Sequence, residues 1–262
     1  MIEVVDPGLF TTIQDIGRPG YAHLGVPPSG AVDRVSFELG NRMVGNPEGA
    51  PALEATLIGP KLRFARPTLV ALTGACVARV LDVTELDVGR AVGGARIYVC
   101  VRGGIDAEPV LGSCSTDLLS GLGPAPLRAG DVLAVGDARA EHEGRFTPKK
   151  NGPLRVVLGP RDDWFTAPEQ LCSTEWKVTS SSNRIGIRLD GPPLERARTD
   201  ELRSEGLVTG ALQVPPNGRP ILLLNDHPTT GGYPVIAVVH SDDLPSAGQL
   251  APGDTVRFDA IR

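Results

Sequence analysis

The sequence lacks the features that mark several large classes of protein. Its four cysteines form no CxxC pair, so neither a zinc site nor a disulfide framework is predicted. No apolar run approaches the roughly 20 residues of a membrane-spanning helix. Residues 1–5 lack the charged and apolar regions of a signal peptide. We therefore expect a cytoplasmic chain with reduced thiols, in which Cys76 and Cys100 pack as small apolar residues.

An excess of positive charge is also missing. The formal net charge is -5, and acidic and basic residues are interspersed along the chain. Binding to nucleic acid or to anionic lipid requires a concentrated basic surface. The sequence therefore predicts no nucleic-acid partner and no membrane partner.

Common catalytic motifs are absent as well. The chain has no GxxxxGK[ST] phosphate loop, no HExxH motif and no GxSxG nucleophile elbow, and its four histidines are not spaced as a metal pair. No complete catalytic centre can be recognised within the chain alone, and no metal site is predicted.

Turn residues are abundant. The 32 glycines and 24 prolines are spread between short apolar runs, a distribution typical of strands joined by turns. We predict a mainly β fold with few short helices. One helix is expected over residues 32–44, where Val35, Leu39 and Met43 recur every four residues. The predicted strands cover residues 61–65, 68–73, 96–102, 154–158, 185–189, 221–224, 235–239 and 255–258.

A weak internal repeat divides the chain. Residues 56–62 resemble residues 188–194, and residues 127–131 resemble residues 250–254. Either each half is one small β unit of similar plan, or turn residues coincide by chance. The first alternative predicts an N-terminal domain over residues 1–145 and a C-terminal domain over residues 146–262, with residues 136–152 as the joint.

Three polar segments are too long and too rich in Gly, Pro and Thr for simple hairpin turns, and such loops on a β scaffold often bind ligands. The first covers residues 11–21 and 26–33. Its Arg18 either clamps a carboxylate or phosphate, or pairs with Asp15 to shape the loop. The candidate site residues of this segment are Thr12, Gln14, Asp15, Arg18, Ser29 and Asp33.

The second segment covers residues 101–106 and 112–117. Paired glycines after a strand let backbone amides approach a ligand oxygen, and two hydroxyls add donors. A bulge and a helix cap would explain the same residues. The candidates are Arg102, Gly103, Gly104, Ser115 and Thr116.

The third segment covers residues 225–234, with residues 204–206 and 213–218 before it. Asp226 or Glu205 would act as general base or metal ligand, and the Thr-Thr-Gly-Gly run would hold an anion through its amides. A wide surface turn is the alternative. The other candidates are Gln213, Thr229, Thr230, Gly231, Gly232 and Tyr233.

At these segments the sequence resembles the allophanate hydrolase subunit 2 family, which includes the C-subunit of 5-oxoprolinase, the Kip antagonist and part of the carboxyltransferase domain of urea carboxylase. The likeness covers almost the whole chain. The segments that carry it are residues 11–33, 102–116, 159–165, 182–186, 204–206, 213–218 and 229–234.

The resemblance implies two cyclophilin-like β-barrel domains and an amide hydrolase active only with partner subunits. It implies a homologue of allophanate hydrolase subunit 1 or of the B-subunit of 5-oxoprolinase, and a lactam-opening third subunit. Together they would use ATP with Mg²⁺ to convert a small amide, 5-oxoproline, to glutamate. The implied anion-binding residues include Arg18, Arg102 and Arg161, with Asn183 and Arg184 in a further matching motif. Asp15, Asp33, Glu205 and Asp226 are the expected proton-transfer or magnesium groups.

Three departures from the family pattern affect the substrate. The region between Gly74 and Arg96 is shorter than expected, Cys114 stands where arginine is frequent, and His227 with Pro228 alters the approach to Thr229. Two other functions stay open. One is a regulatory protein that antagonises a kinase inhibitor. The other is a carboxyltransferase component, for which a partner would deliver biotin.

Overall fold

The computed structural model describes residues 1–75, 77–139, 152–198 and 200–261. Packing separates the chain into two compact units. One comprises Met1–Pro19 and Pro28–Pro148, and the other comprises Gly20–Pro27 and Lys149–Arg262. Cys76 and the predicted boundary between residues 145 and 146 lie outside the described residues, so that boundary stays a prediction.

The two units are built almost entirely of strands. The strands are β1 Ile2–Asp6, β2 Thr11–Gln14, β3 Ala52–Thr56, β4 Lys61–Gly74, β5 Val77–Asp87, β6 Arg96–Val101, β7 Gly103–Asp106, β8 Val132–Ala138, β9 Leu154–Leu158, β10 Trp176–Val178, β11 Gly186–Asp190, β12 Glu205–Gly206, β13 Ala211–Gln213, β14 Ile221–Leu223, β15 Thr230–Gly231, β16 Val235–Val239, β17 Thr255–Val256 and β18 Phe258–Ala260. The α-helices are α1 Arg34–Met43, α2 Gln170–Ser173 and α3 Leu244–Gly248, and 3₁₀ turns cover Ala22–Leu24, Asp162–Trp164 and Ser241–Asp243.

The first unit is an eight-stranded antiparallel sheet in the order β2-β3-β6-β4-β1-β8-β7, with β5 paired to β4. It curls because β4 is long and changes partners: its first half pairs with β1 and its second half with β6. Its core includes Ile2, Leu53, Leu62, Leu72 and Val99, all fully or almost fully buried.

The second unit has its own eight-stranded sheet, in the order β17-β10-β11-β14-β13-β16-β9-β18. All its pairs are antiparallel except β18 with β9. A separate two-stranded ladder joins β12 to β15. The prediction of a mainly β fold with two barrel-like sheets and few short helices is confirmed.

The hairpin of β4 and β5 is longer than the sequence indicated. Residues 61–65 and 68–73 were expected as two strands, but they form one strand with a register shift between Arg63 and Thr68. The partner strand β5 was not predicted. Its charged side chains Arg79, Asp82, Glu85 and Asp87 are exposed. They interrupt the apolar residues of β5, so the sequence shows no continuous apolar run there.

Helix α1 lies within the predicted residues 32–44 and buries part of the predicted face, since Leu39 is buried and Met43 packs against the core. Asp33 caps it by accepting a hydrogen bond from Ser36 N at 3.1 Å. The expected contact at Val35 is wrong, because this side chain is 45% exposed. Phe37 and Gly40 face the sheet instead. A Cβ at Gly40 would lie 2.6 Å from Cys100 Sγ, so the close approach requires glycine.

The suspected repeat has a matching structure at one of its two segments. Arg128 N donates to Asp131 Oδ2 at 2.7 Å, and Ala251 N donates to Asp254 Oδ2 at 2.8 Å. Each turn is also bound to a strand of its own unit in the same way. Val4 N of β1 donates to the Asp131 carbonyl at 2.8 Å, and Val178 N of β10 donates to the Asp254 carbonyl at 2.9 Å. Residues 127–131 and 250–254 are therefore equivalent turns, one in each unit.

Candidate functional site

Asp15 is the centre of a buried polar cluster in the first unit. It follows β2, and its Oδ1 accepts from Gly17 N at 2.8 Å and from the Ser113 and Ser115 hydroxyls at 2.6 Å each. Its Oδ2 accepts from Cys114 N at 2.6 Å. Since these donors satisfy both oxygens, Asp15 fixes residues 113–115 against the end of β2.

Arg18 contacts the same segment as a donor, through backbone carbonyl groups. Its Nε donates to the Val110 carbonyl at 3.3 Å, and its Nη2 donates to the Ser113 and Ser115 carbonyls at 3.4 and 2.5 Å. The side chain is 1% exposed. Asp15 and Arg18 form no ion pair with each other in the part of the chain that the structure describes. Arg18 Nη1 is buried and has no hydrogen-bond partner within the described residues.

Three other candidates of the first segment, Thr12, Gln14 and Ser29, lie beside Thr116. Gln14 Nε2 donates to the Thr116 carbonyl at 3.1 Å and to Thr12 Oγ1 at 2.9 Å. Ser29 Oγ donates to the same carbonyl at 3.0 Å. The structure therefore brings together Thr12, Gln14, Asp15, Arg18 and Ser29 of the first segment with Ser115 and Thr116 of the second, a contact that the sequence did not predict. We call these seven residues, with Ser113, the Asp15 cluster.

Glycine is required where two stretches of this loop, around residues 17 and 30, come into backbone contact. Gly17 has a φ of 83°, and a Cβ there would lie 2.5 Å from the Pro28 carbonyl oxygen. A Cβ at Gly30 would lie 2.7 Å from Gly17 N. This contact, with Arg18 N donating to the Pro28 carbonyl at 2.7 Å, sets the path of the chain that carries Arg18.

The other members of the second segment have backbone roles. Gly103 N donates to Asn46 Oδ1 at 2.8 Å, and a Cβ at Gly103 would lie 2.3 Å from the Gly136 carbonyl oxygen. The β7 pairing shifts register between Gly103 and Ile105, which is the bulge that the sequence offered as the alternative explanation. Arg102 is exposed. Binding by Arg102, Gly103 and Gly104 stays a prediction.

A buried network beside Asp33 was not predicted from the sequence. Glu54 Oε2 accepts from Val32 N at 2.9 Å and from the Tyr98 hydroxyl at 2.8 Å, and Arg96 Nε lies 3.4 Å from Glu54 Oε1. The Tyr98 hydroxyl in turn accepts from Asp33 N at 2.8 Å. Burial, with the charges of Glu54 and Asp33, raises the pKa of Tyr98 well above its usual value. The sequence feature that could have indicated this network is a charged residue in each of two otherwise apolar strands, Glu54 in β3 and Arg96 in β6.

In the second unit, Arg184 and Asp226 form a buried bidentate ion pair. Nε donates to Oδ2 at 2.8 Å and Nη2 donates to Oδ1 at 3.0 Å, with side chains 5% and 2% exposed. The neighbouring Asn183 is exposed and turns the chain, because its Oδ1 accepts from Ile185 N at 2.9 Å. Asp226, predicted as a general base or metal ligand, thus has both carboxylate oxygens bound to the Arg184 guanidinium.

A second ion pair lies beside the Thr-Thr-Gly-Gly run. Arg161 donates through Nε to Glu205 Oε2 at 3.1 Å and through Nη2 to Oε1. Both side chains are about one-third exposed, and the hydrogen bond from Arg161 lowers the pKa of Glu205. Glu205 also pairs through its backbone with Gly231.

The rest of the third segment is arranged around this ladder. Gln213 is buried, and its Nε2 donates to the Tyr233 carbonyl at 3.2 Å. Leu207 N donates to the Thr229 carbonyl at 2.9 Å, and Thr230 pairs with Gly206. Gly232 and Tyr233 are exposed. The structure thus brings Arg161, Glu205, Gln213 and residues 229–233 together within the second unit.

His227 is a buried residue that was noted only as a departure from the family pattern. Its Nδ1 lies 2.7 Å from the Pro228 carbonyl oxygen, which can only accept, so Nδ1 carries the proton. Burial lowers the pKa of His227, and this effect outweighs the opposing influence of the Pro228 carbonyl and of Asp226. The imidazole is therefore neutral at neutral pH.

This lowered pKa predicts a loss of stability in mild acid. In the unfolded chain His227 gains a proton near its ordinary pKa of about 6.5, whereas the folded chain resists protonation. The free energy of unfolding should therefore fall as pH drops below about 6.5, by up to about 1.4 kcal/mol per pH unit from this group. Urea titrations at pH 7, 6 and 5 should show a smaller decrease for His227→Asn. An identical pH dependence in both proteins would contradict the prediction.

Within the described residues, no three His, Cys, Asp or Glu side chains are grouped to hold a metal ion. No helix in the same residues has the length and apolar character needed to cross a bilayer.

The fold and these clusters define a mainly β protein of two units, each with a buried arginine held among Gly-, Ser- and Thr-rich loops. Its sequence matches the family described as carboxyltransferase domain, subdomain A and B, over residues 24–260. The chain belongs to this family.

Individual relatives agree with the assignment. The chain is 38% identical to the C-subunit of 5-oxoprolinase from Escherichia coli, over 98% of this chain and 90% of that protein. It is 35% identical to the C-subunit of 5-oxoprolinase from Haemophilus influenzae, covering all of this chain and 91% of that protein. The crystal structure of urea amidolyase from K. lactis superposes with a TM-score of 0.90 at 35% identity, but the chain spans only 19% of it.

Proposed function

We propose that this chain is a subunit of an ATP-dependent enzyme that hydrolyses a carbon–nitrogen bond, of the 5-oxoprolinase type. The observation that carries the proposal is the similarity to the C-subunit of 5-oxoprolinase, which extends over 98% of this chain and 90% of the relative. Unlike the urea amidolyase of K. lactis, of which the chain spans 19%, this relative is matched over nearly its whole length. The substrate is a small amide, 5-oxoproline, which would be converted to glutamate in the cytoplasm.

Catalysis would require partner subunits. The relatives are themselves called subunits, and no complete catalytic centre can be recognised in this sequence. The partners proposed are a homologue of the B-subunit of 5-oxoprolinase, equivalent to allophanate hydrolase subunit 1, and a lactam-opening third subunit.

Within the described part of the chain, the carboxylates expected to bind magnesium are already engaged by other groups. Asp15 is saturated by four donors, Asp226 pairs with Arg184, and Glu205 pairs with Arg161. Asp33 caps α1. ATP with Mg²⁺ is therefore assigned to the assembled complex. The contribution of this chain is to bind and orient a substrate, with Arg18 as its buried cationic donor.

A carboxyltransferase role is the second candidate, because the matched family is described as a carboxyltransferase domain and the urea amidolyase of K. lactis contains this fold. In that case a partner would deliver biotin. The same assembly experiment separates the two functions if urea with a biotin-carrying partner is offered in parallel.

The test is reconstitution. The purified chain alone should release negligible glutamate from 5-oxoproline, and co-expression with the two partner subunits should give ATP-dependent release of glutamate. Omission of ATP and omission of this chain are the controls. Full turnover by the purified single chain would contradict the need for partners, and carboxylation of urea without glutamate release would favour the second candidate.

A further inference from the structure

The ion pair of Arg161 with Glu205 differs from the buried pair of the same unit because solvent reaches it. Arg161 and Glu205 are 35% and 32% exposed, whereas Arg184 and Asp226 are 5% and 2% exposed. Both oxygens of Glu205 accept from the Arg161 guanidinium, which is also the way arginine binds the carboxylate of a ligand. The space in front of Arg161 therefore fits a carboxylate group, and a carboxylate of the chain itself fills it.

Arg161 is the fixed member of the pair. Its backbone N–H donates to the Val235 carbonyl of β16 at 2.9 Å, and its own carbonyl accepts from Trp164 N at 3.1 Å. Trp164 is buried and ends the 3₁₀ turn that follows Arg161. The main chain that carries the guanidinium is thus attached both to the large sheet and to a buried aromatic residue.

Glu205 is attached by fewer contacts. It lies in β12, which has two residues and, within the described strands, pairs only with β15, outside the eight-stranded sheet. A Cβ at the adjacent Gly206 would meet no atom within 4 Å, so the surroundings of this strand are open. When the Glu205 side chain turns into solvent, an exposed ion pair is lost, and such pairs contribute little to stability.

The arrangement favours a carboxylate over a phosphate. A planar carboxylate repeats the two hydrogen bonds that Glu205 makes, whereas a phosphate adds charge and a further oxygen. The exposed Asp163 is close enough to Arg161 to act on its charge, because Glu205 and Asp163 both raise the pKa of Arg161. A second acid beside the guanidinium disfavours the more highly charged anion. The proposed substrate, 5-oxoproline, carries one carboxylate beside its lactam.

We propose that Glu205 is an internal carboxylate that occupies Arg161 until the carboxylate of the substrate replaces it. Glu205 then turns into solvent, and Arg161 holds the substrate through the same two donors. This inference rests on the proposed function for the identity of the substrate. It gives Glu205 the role of closing the site, in place of the general base or metal ligand that the sequence suggested. No covalent bond is made or broken at this step.

Glu205→Gln is the sharpest test, because removal of the internal competitor should strengthen binding. The affinity for 5-oxoproline should rise about 2- to 5-fold, since a ligand binds more weakly when only a fraction of the protein has its site open, and an exposed ion pair sets that fraction. Arg161→Met should weaken binding at least about 10-fold, as for the loss of a charge-assisted bidentate contact. In the Arg161→Met background, Glu205→Gln should give no gain.

Two control variants separate replacement of Glu205 from a general effect of charge. Asp163→Asn removes the other acid near Arg161, which forms no hydrogen bond with it among the described contacts, and should change affinity less than 2-fold. Glu175→Gln makes the same substitution in another exposed ion pair of the second unit, with Arg257, and should leave affinity unchanged. The melting temperatures of all variants show whether each one is folded.

Binding is measured by calorimetry without ATP, on the full chain and on the assembled complex. The probes are 5-oxoproline, its uncharged carboxamide and inorganic phosphate. The carboxamide keeps the lactam but lacks the carboxylate, so it should bind wild type and Glu205→Gln equally, and phosphate should not compete with 5-oxoproline. Unchanged or weaker binding by Glu205→Gln, an equal gain in Asp163→Asn, a gain that persists without Arg161, competition by phosphate, or no binding of 5-oxoproline in either preparation would overturn the proposal.

Failure of this inference is distinguishable from failure of the proposed function. A complex that releases glutamate with the same KM in wild type and Glu205→Gln keeps the function and removes the exchange. Tighter binding of 5-oxoproline by Glu205→Gln, in a complex that releases no glutamate even as wild type, keeps the exchange and removes the function.

Discussion

Arg18→Ala is expected to lower kcat/KM of the reconstituted complex by roughly 10- to 150-fold, as for the loss of a charge-assisted contact of about 1.5 to 3 kcal/mol. The same change should reduce the free energy of unfolding by about 2 to 4 kcal/mol, because three carbonyls lose a buried donor. Chemical denaturation and steady-state kinetics at a temperature where the variant is fully folded separate the two effects. Normal kinetics in the folded variant would confine Arg18 to a structural role.

Two further substitutions sharpen this result. Arg18→Lys keeps the charge but loses the planar fork, so it should recover little of either quantity. Arg34→Ala is the control for removing an arginine, since Arg34 is 60% exposed and pairs with Glu38 four residues along α1. Its effect on stability should stay within about 0.5 kcal/mol. Recovery of normal kinetics by Arg18→Lys would show that charge alone is required.

Asp226→Ala should destabilise the fold by about 3 to 5 kcal/mol, because it removes the carboxylate that accepts from Nε and Nη2 of the buried Arg184 guanidinium. Equilibrium unfolding in urea measures the change. The matched control is Asp190→Ala, which breaks an ion pair with Arg219 whose side chains are 54% and 51% exposed. An exposed pair of this kind contributes about 0 to 1 kcal/mol.

The double variant Arg184→Met with Asp226→Leu removes both members of the ion pair, so it separates the net contribution of the pair to stability from the cost of removing one member. Apolar replacements of both partners should cost less than Asp226→Ala alone, because neither charge of the pair is then left buried. If Asp226→Ala costs no more than Asp190→Ala, the buried pair does not stabilise the fold in the way proposed.

The β architecture was predictable because glycine and proline punctuate the apolar runs, and most strand positions follow from that pattern. Strand β5 was not, because its outward charges interrupt its apolar residues and its pairing with β4 depends on a distant part of the core. The face of α1 was predicted wrongly at Val35. Three apolar residues at a spacing of four fit more than one face, and contact with the sheet selects Phe37 and Gly40.

The sequence predicted which segments contain the candidate site residues, but not the hydrogen bonds that these residues form. Dense polar residues marked the segments that contain Asp15, Arg18 and Ser115, but not the contact between the segments. Sequence could not show that Asp15 and Arg18 bind residues 113–115 instead of each other, since that depends on where the backbone amides and carbonyls point. Glu54 and Tyr98 were missed because they lie inside strands, where a charged side chain is visible only after its burial is known.

The exposed charges of β5 also affect how copies of this chain meet in solution. Within the described strands β5 pairs only with β4, so its outer edge presents unpaired backbone groups over eleven residues. An open edge of that length is a template for intermolecular strand addition and aggregation. Glu85 and Asp87 form ion pairs with Arg63 and Lys61 of β4, whereas Arg79 and Asp82 are exposed charges with which an added strand would have to pack. Some of the charged residues that hide β5 from sequence-based prediction thus also make this edge a costly place for another molecule to add a strand.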